Sequence, residues 1–164
     1  MIDQARMEIL ELLEKGKSLS PKHIAMMLGK EEAEVRKIIK ELKEEKIILK
    51  HKTIIDWEKA GRETVEAVID VRVSPQRDVG FDVVASKIYR FPEVKSVYLM
   101  SGTYDLSVVV EGKNMKDVAL FVAEKLATIE NVLSTTTHFR LKKYKEDGIF
   151  FTGENEDNRM VVSP

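Results

Sequence analysis

The sequence predicts an α+β fold in which a small module of three helices precedes a β-α-β-β-α-β unit. Apolar residues recur at helical spacing over the N-terminal part of the chain, and later apolar and polar residues alternate as they do in half-buried strands. In addition, the segment Ser101–Tyr104 contains Gly102 and reads as a tight turn between two consecutive strands. Two β-α-β halves of this kind predict a four-stranded antiparallel sheet with both helices on one face.

The N-terminal module is predicted to contain a helix-turn-helix unit. Its second helix opens with Ser20 as N-cap and Pro21 in the first helical position. Its third helix, at about 31–45, has an apolar face at helical spacing. Ala25 and Gly29 are four positions apart, where two helices must pack closely and turn sharply. A generic three-helix bundle fits the same spacing, so the pattern alone leaves both interpretations open.

The second unit begins with a strand at 64–73, where apolar residues alternate with charged ones. A helix follows, then strands at 94–100 and 105–111, a second helix, and a last strand at 132–142. Nothing in the chain remains to cover the other face of this sheet, which still carries apolar residues such as Val68. We therefore expect a homodimer that packs through its sheets.

The expected domain organisation follows from these elements. Residues 1–49 form the helix-turn-helix domain, and residues 50–62 form a hinge strand and linker. Residues 63–146 form the sheet domain. Residues 147–164 form a tail that is either flexible or carries a short appended strand.

Composition excludes several classes of protein. The chain has 164 residues and no Cys, so disulfides and thiolate metal sites are excluded. No apolar run approaches the roughly 18 residues of a membrane span, and the N-terminus lacks the layout of a signal peptide. We expect a cytoplasmic protein that does not bind membranes.

An enzyme is not expected. The three histidines His23, His51 and His138 are far apart and have no metal-ligand spacing. The sequence also has no nucleophile elbow and no phosphate-binding glycine loop. The sequence therefore predicts neither catalytic residues nor a cofactor or metal.

Charge is dense but balanced, with 27 basic and 28 acidic residues. Residues 1–62 carry 14 Lys and Arg against 12 Asp and Glu, and the remainder carries 13 against 16. The excess of positive charge in the N-terminal part has the sign that DNA binding requires, but it is small.

At this point the chain resembles the Lrp/AsnC family of transcriptional regulators, over about residues 5–146. Residues 94–105, VKSVYLMSGTYD, are similar to the family segment V-x-x-(apolar)-x-x-x-x-G-x-x-D, and the Lys143-Tyr144-Lys145 ending also fits. The resemblance implies a helix-turn-helix domain joined by a hinge strand to a ferredoxin-like effector-binding and oligomerisation domain. It further implies double-stranded DNA and a small effector of the amino-acid class as partners. The implied assembly is a homodimer that builds a tetramer or octamer.

The third helix departs from the family, whose members usually start it with Leu-Ser. Here Glu31, Glu32 and Glu34 occupy the first turn, where they suit the helix dipole but repel phosphates. The residues expected to contact DNA are Lys22, Arg36, Lys37, Lys40 and Lys43. A solvated, ion-paired helix face is the alternative for these cations, with Glu32 and Arg36 as an i, i+4 pair. The alternative function is therefore an effector-sensing or assembly protein of the same fold with weak DNA binding.

Four residues are expected at the effector site: Gly102, Asp105, Thr135 and Thr137. By resemblance, the Asp105 carboxylate lies at the rim of the site and receives the ammonium group of an amino acid. Thr135 and Thr137 lie two apart on one face of the last strand, so both hydroxyls can line one pocket. The alternatives are a turn glycine with a loop-capping Asp, and Thr chosen for its strand propensity.

Overall fold

A computed structural model describes residues 3–15, 19–74 and 80–151. The chain divides into two compact units, one up to Ile54 and one from Ile55 onwards. This division lies inside the predicted linker at 50–62. In the described part of the chain, no helix is long and apolar enough to cross a membrane.

The first unit consists of three helices, α1 Gln4–Glu14, α2 Pro21–Leu28 and α3 Glu32–Glu44. Side chains fix the starts of the first two, because Asp3 accepts a hydrogen bond from the Arg6 N–H at 2.8 Å and Ser20 accepts one from the His23 N–H at 3.3 Å. Gly29 ends α2 with a φ of 63°, the left-handed conformation that favours glycine. The predicted helix-turn-helix layout is thus formed.

The core of this unit is small and apolar. Its buried cluster consists of Ile9, Ile24, Ala25, Val35 and Ile39, and Leu42 of α3 is fully buried as well. Ala25 is 4% exposed, because its short side chain lets α2 and α3 approach closely. Its spacing from the turn glycine predicts this close packing.

The second unit has a ferredoxin-like architecture, as predicted. Its main elements are β1 Val65–Val73, α4 Phe81–Ile88, β2 Val94–Leu99, β3 Leu106–Gly112, α5 Met115–Phe121 and β4 Val132–Phe139. The sheet order is β2-β3-β1-β4, and all neighbouring strands are antiparallel. After α5, residues Val122–Leu126 continue as one π-helical turn.

Both helices cover the same face of the sheet. Side chains of α4 and α5 pack with alternate residues of β1, and the buried set on β1 is Ala67, Ile69, Val71 and Val73. The register pairs Ile69 with Val108 of β3 and with Thr137 of β4. Because directly paired residues point to the same face, this register decides which side chains of β4 face the helices.

Two predicted features differ from the structure. The hinge strand at 50–56 is not formed: this segment is irregular, because a strand needs a neighbour to satisfy its backbone groups and the described residues supply none. The last strand ends at Phe139 rather than at 142. It is followed by a short hairpin of β5 Lys145–Glu146 and β6 Ile149–Phe150, which runs past the predicted tail boundary at 146. Residues 152–164 of the predicted tail lie outside the described residues.

Candidate DNA-binding surface and effector site

The outward face of α3 is the candidate DNA-binding surface. Its buried face consists of Val35, Ile39 and Leu42. At 100° per residue, the positions opposite that face are Ala33, Lys37, Lys40 and Glu44, and all four are exposed. The residues predicted to contact DNA on α3, Arg36, Lys37, Lys40 and Lys43, are all solvent-exposed, and Lys22 is exposed on α2.

Most of these cations are already paired with carboxylates of the same helix. Arg36 Nη2 lies 2.5 Å from Glu32 Oε1, Lys37 Nζ lies 3.9 Å from Glu41 Oε1, and Lys40 Nζ lies 3.7 Å from Glu44 Oε1. All three are i, i+4 pairs of the kind that the Glu32–Arg36 spacing predicts. The ion-paired interpretation of this helix face therefore describes its geometry in the free protein.

The start of α3 has the same character. Lys30 Nζ donates to Glu34 Oε1 at 2.6 Å, and this hydrogen bond raises the pKa of Lys30 against a smaller opposing effect of burial. Glu31 is the N-cap residue, yet its side chain makes no capping hydrogen bond. Over its whole length, α3 carries four acidic and four basic residues. Its own charge is thus zero, and it offers duplex DNA little net attraction.

Asp105 has a structural role that the sequence did not reveal. Its Oδ2 accepts a hydrogen bond from the backbone N–H of Val73 at 2.8 Å in a partly buried position. Its backbone N–H donates to Val71 O at 3.0 Å, and its carbonyl accepts from the Met100 N–H at 2.8 Å. The residue therefore connects the start of β3 to the end of β1. Within the described ranges its second carboxylate oxygen accepts no hydrogen bond, so it can accept one from another donor.

The loop before Asp105 holds residues that sequence reasoning missed. Arg72 donates to the carbonyl of Thr103 at 3.1 Å, and its guanidinium lies 5.8 Å from the centre of the Tyr104 ring. The Tyr104 hydroxyl forms a hydrogen bond of 3.0 Å with Thr136 Oγ1. The alternation of side chains along β4 places Thr136 on the opposite face from Thr135 and Thr137, as the sequence pattern indicates. Its contact with Tyr104 could not be predicted in this way, because the two residues are far apart in sequence. Gly102 has a φ of 158°, which other residues rarely adopt.

Thr135 and Thr137 share one face of β4, as predicted, but it is the face that the helices cover. Thr135 pairs with Val71 and Thr137 pairs with Ile69, and both valine and isoleucine are fully buried. Thr135 and Asp105 lie on opposite sides of β1, two strand spacings or roughly 10 Å apart. The single chain therefore does not bring the four predicted effector residues into one pocket.

Two cavities occur elsewhere in the second unit. One of about 330 Å³ lies at the end of β3 beside α5, and one of about 310 Å³ lies beside the ends of β1 and β4. Arg62, Thr64 and Glu111 line both. Both cavities lie at the opposite end of β3 from Asp105, and neither is lined by a predicted effector residue. In the described ranges, no three His, Asp or Glu side chains are grouped as a metal site.

A comparison with protein families decides the identity of the second unit. A model described as the Lrp/AsnC ligand binding domain matches residues 66–150. The chain belongs to the Lrp/AsnC family. The match covers β1 through β6, so the resemblance stated from residues 94–105 is confirmed.

Relatives of this Lrp/AsnC chain extend over both units. YugG of Bacillus subtilis, an uncharacterized HTH-type transcriptional regulator, is 55% identical over 158 residues, or 96% of this chain and 95% of the relative. LrpA of Pyrococcus horikoshii, an HTH-type transcriptional regulator, is 31% identical over 145 residues, or 88% of this chain and 100% of the relative. This Lrp/AsnC chain is therefore a DNA-binding transcriptional regulator with a domain for a small effector.

Solved structures share the fold. A transcriptional regulator of Neisseria meningitidis, solved in complex with L-Met, superimposes with a TM-score of 0.70 at 20% identity, over 89% of this chain and 94% of that one. E. coli AsnC superimposes with a TM-score of 0.68 at 20% identity, over 89% and 96% of the two chains. At these identities the likeness supports the Lrp/AsnC fold alone.

Proposed function

We propose that this Lrp/AsnC regulator binds double-stranded DNA as a homo-oligomer through the exposed face of α3, and that an amino acid tunes its assembly or its DNA affinity. The observation that carries the proposal is the match of residues 66–150 to a ligand-binding domain, in a chain whose first unit is a helix-turn-helix. The regulator is expected to act in the cytoplasm. Its named relatives are regulators, and no catalytic role is proposed.

DNA contact is assigned to Lys37 and Lys40 at the centre of the outward face, with Arg36 and Lys43 on its flank and Lys22 on α2. Arg36, Lys37 and Lys40 reach phosphates by exchanging their intrahelical carboxylates for the DNA backbone. Such exposed i, i+4 pairs are weak, about 0.3–0.5 kcal/mol each, so the exchange costs little. The ion pairs cancel the net positive charge of this helix face, which would otherwise attract DNA.

An amino acid is the effector class that the chemistry of Asp105 and Gly102 suits best. One carboxylate oxygen of Asp105 is held by Val73, which fixes the orientation of the other towards an incoming ammonium group. The neighbour solved with L-Met is in keeping with this class. Thr135 and Thr137 remain proposed members of the site, and they need β4 to shift or a second chain to complete the pocket.

A homodimer through the open face of the sheet is proposed as the building block of a tetramer or octamer. Val68 and Val109 are a directly paired, half-buried couple at the centre of this face. Asp70 and His138, whose Oδ2 and Nε2 atoms are 3.1 Å apart, lie beside them. Because charged and polar side chains lie beside this apolar pair, the dimer interface on this face is expected to be largely polar.

The test is binding of the purified protein to its own upstream DNA, measured by fluorescence anisotropy over a salt series and against scrambled DNA. A panel of amino acids is added at each salt concentration. The proposal is supported if the protein prefers its own upstream DNA and if one amino acid changes the affinity for that DNA. The double variant Lys37→Gln with Lys40→Gln should then bind the DNA more weakly. As matched control, Lys113→Gln with Lys116→Gln removes the same charge from the other unit. The proposal is contradicted if the affinity is the same for both DNA sequences and if no amino acid changes it.

The ion pairs of α3 favour a second candidate, an effector-sensing or assembly protein with weak DNA affinity. Glu31→Lys with Glu34→Lys separates the two functions. If the start of α3 faces phosphates, the four units of charge added should raise affinity for non-specific DNA by well over tenfold at low salt. Glu11→Lys with Glu14→Lys on α1 makes the same charge change away from α3. Equal effects of the two double variants would place the start of α3 away from the duplex.

A further inference from the structure

Two lysines, one just before the hairpin of β5 and β6 and one in it, lie over aromatic rings rather than beside carboxylates. Lys142 Nζ lies 4.9 Å from the centre of the Tyr144 ring, and Lys145 Nζ lies 4.6 Å from the centre of the Phe150 ring. The rings are 64% and 53% exposed, and both lysines are exposed as well. Among the described residues, neither lysine forms an ion pair. Both ammonium groups are therefore accessible to an anionic partner.

Basic residues outnumber acidic ones in and just before the hairpin. Residues 140–151 carry four basic and two acidic side chains. Of the acidic pair, Glu146 accepts from Lys143 at 2.8 Å and lies 3.7 Å from Arg140. Lys143 also lies 3.7 Å from Glu66 of β1. This network anchors the hairpin to the sheet and neutralises Glu146, while Lys142 and Lys145 take no part in it. The contrast with α3 is direct, because there the cations are matched by carboxylates.

We infer that this hairpin and the residues that lead into it form a second DNA-binding element, in which Lys142 and Lys145 contact backbone phosphates of double-stranded DNA. A lysine held over a ring keeps its charge and has less freedom to lose on binding. The exposed rings of Tyr144 and Phe150 add apolar surface that fits the sugar of a nucleotide. Contacts to phosphates carry no sequence information, so the hairpin adds affinity equally for operator and other DNA. The inference rests on the proposed DNA-binding function of the regulator.

The test compares the intact protein with Lys142→Gln plus Lys145→Gln. Binding to operator and scrambled duplexes is measured by anisotropy at several salt concentrations, and the slope of log K against log salt is compared. Loss of two phosphate contacts should lower the magnitude of this slope by about 1.8 on both duplexes. Lys142→Arg plus Lys145→Arg keeps the charges and should retain the original slope, provided that circular dichroism shows the same folded content.

The matched control is Lys113→Gln plus Lys116→Gln, a pair with the same spacing, exposure and charge change in the same unit. An unchanged slope in the hairpin variant, or an equal change in the control, overturns the inference while leaving the regulator's DNA binding intact. An acidic protein as the true partner of the hairpin gives that same unchanged slope. Absence of DNA binding in the unsubstituted protein overturns both the proposed function and this inference.

Discussion

Replacing Asp105 in two ways separates its structural role from its proposed binding role. Asp105→Ala removes the acceptor for the Val73 N–H, whereas Asp105→Asn keeps a carbonyl oxygen in its place and removes only the charge. The hydrogen bond is 2.8 Å long, partly buried, and made by a charged acceptor. Such a bond contributes about 1.5–3 kcal/mol to the free energy of unfolding.

Asp105→Ala should therefore lower the melting temperature of the ligand-binding domain by about 10 °C, from a loss of about 2 kcal/mol in a domain of this size. Asp105→Asn should cost less than about 1 kcal/mol, since a neutral hydrogen bond replaces a charged one. For effector binding the order is different. Both variants lose the carboxylate, so each should bind an amino acid about 30-fold more weakly if a charge-assisted bond worth about 2 kcal/mol is removed.

Calorimetry gives the melting temperature, and the effector-dependent shift of DNA binding gives the functional readout. Asp82→Asn is the control, because it removes an exposed carboxylate from the first turn of α4 in the same unit. An Asp105→Asn variant with a full effector response would refute the binding role. Equal melting temperatures for Asp105→Ala and the unsubstituted protein would refute the structural role.

Two further predictions concern the stability of the ligand-binding domain. Gly112→Ala places a Cβ 2.9 Å from Val118 Cγ2, so it should lower the free energy of unfolding by about 1–3 kcal/mol. Gly80→Ala meets no atom within 4 Å and loses only the preference of the α4 N-cap for glycine, so it should cost less in the same denaturant titration. The hydrogen bond from Lys125 lowers the pKa of Glu93 below the usual 4.5 of a glutamate side chain. The interaction of Glu93 with Lys125 therefore stabilises the fold above pH 4.5, and this stabilisation is lost as the pH falls through the lower pKa of the folded state. In Lys125→Met, the free energy of unfolding should depend less on pH in that range.

The periodicity of the sequence was enough to predict the fold, because each element carries its own pattern. Ser20 and Pro21 start α2 and Gly29 ends it through local chemistry that the sequence displays directly. The pairs of α3 follow the same i, i+4 rule as the predicted Glu32–Arg36 pair. Features that depend on a neighbour were predicted less well. The segment at 50–56 has strand composition, yet composition cannot supply the second strand that it needs.

The candidate effector site shows the same limit. Alternation places Thr135 and Thr137 on one face, but only their pairing with β1 decides that this face is covered by helices. Asp105 was predicted as a turn residue or ligand contact from its place after Gly102. Its acceptor role for Val73 joins residues 32 positions apart, and no local pattern encodes such a distance. The contact between Tyr104 and Thr136 was missed for the same reason.

The central position of β1 sets the order in which the protein is completed during synthesis. β1 pairs on one side with β3 and on the other with β4, whose Thr135 lies opposite Val71. At about 10 residues per second, several seconds pass between the synthesis of β1 and that of β4. The three helices of the first unit need no such wait, because their core comes from residues close in sequence. The nascent chain can thus complete its helix-turn-helix unit while its ligand-binding domain still exposes apolar strands, and exposed strands of this kind are prone to aggregate.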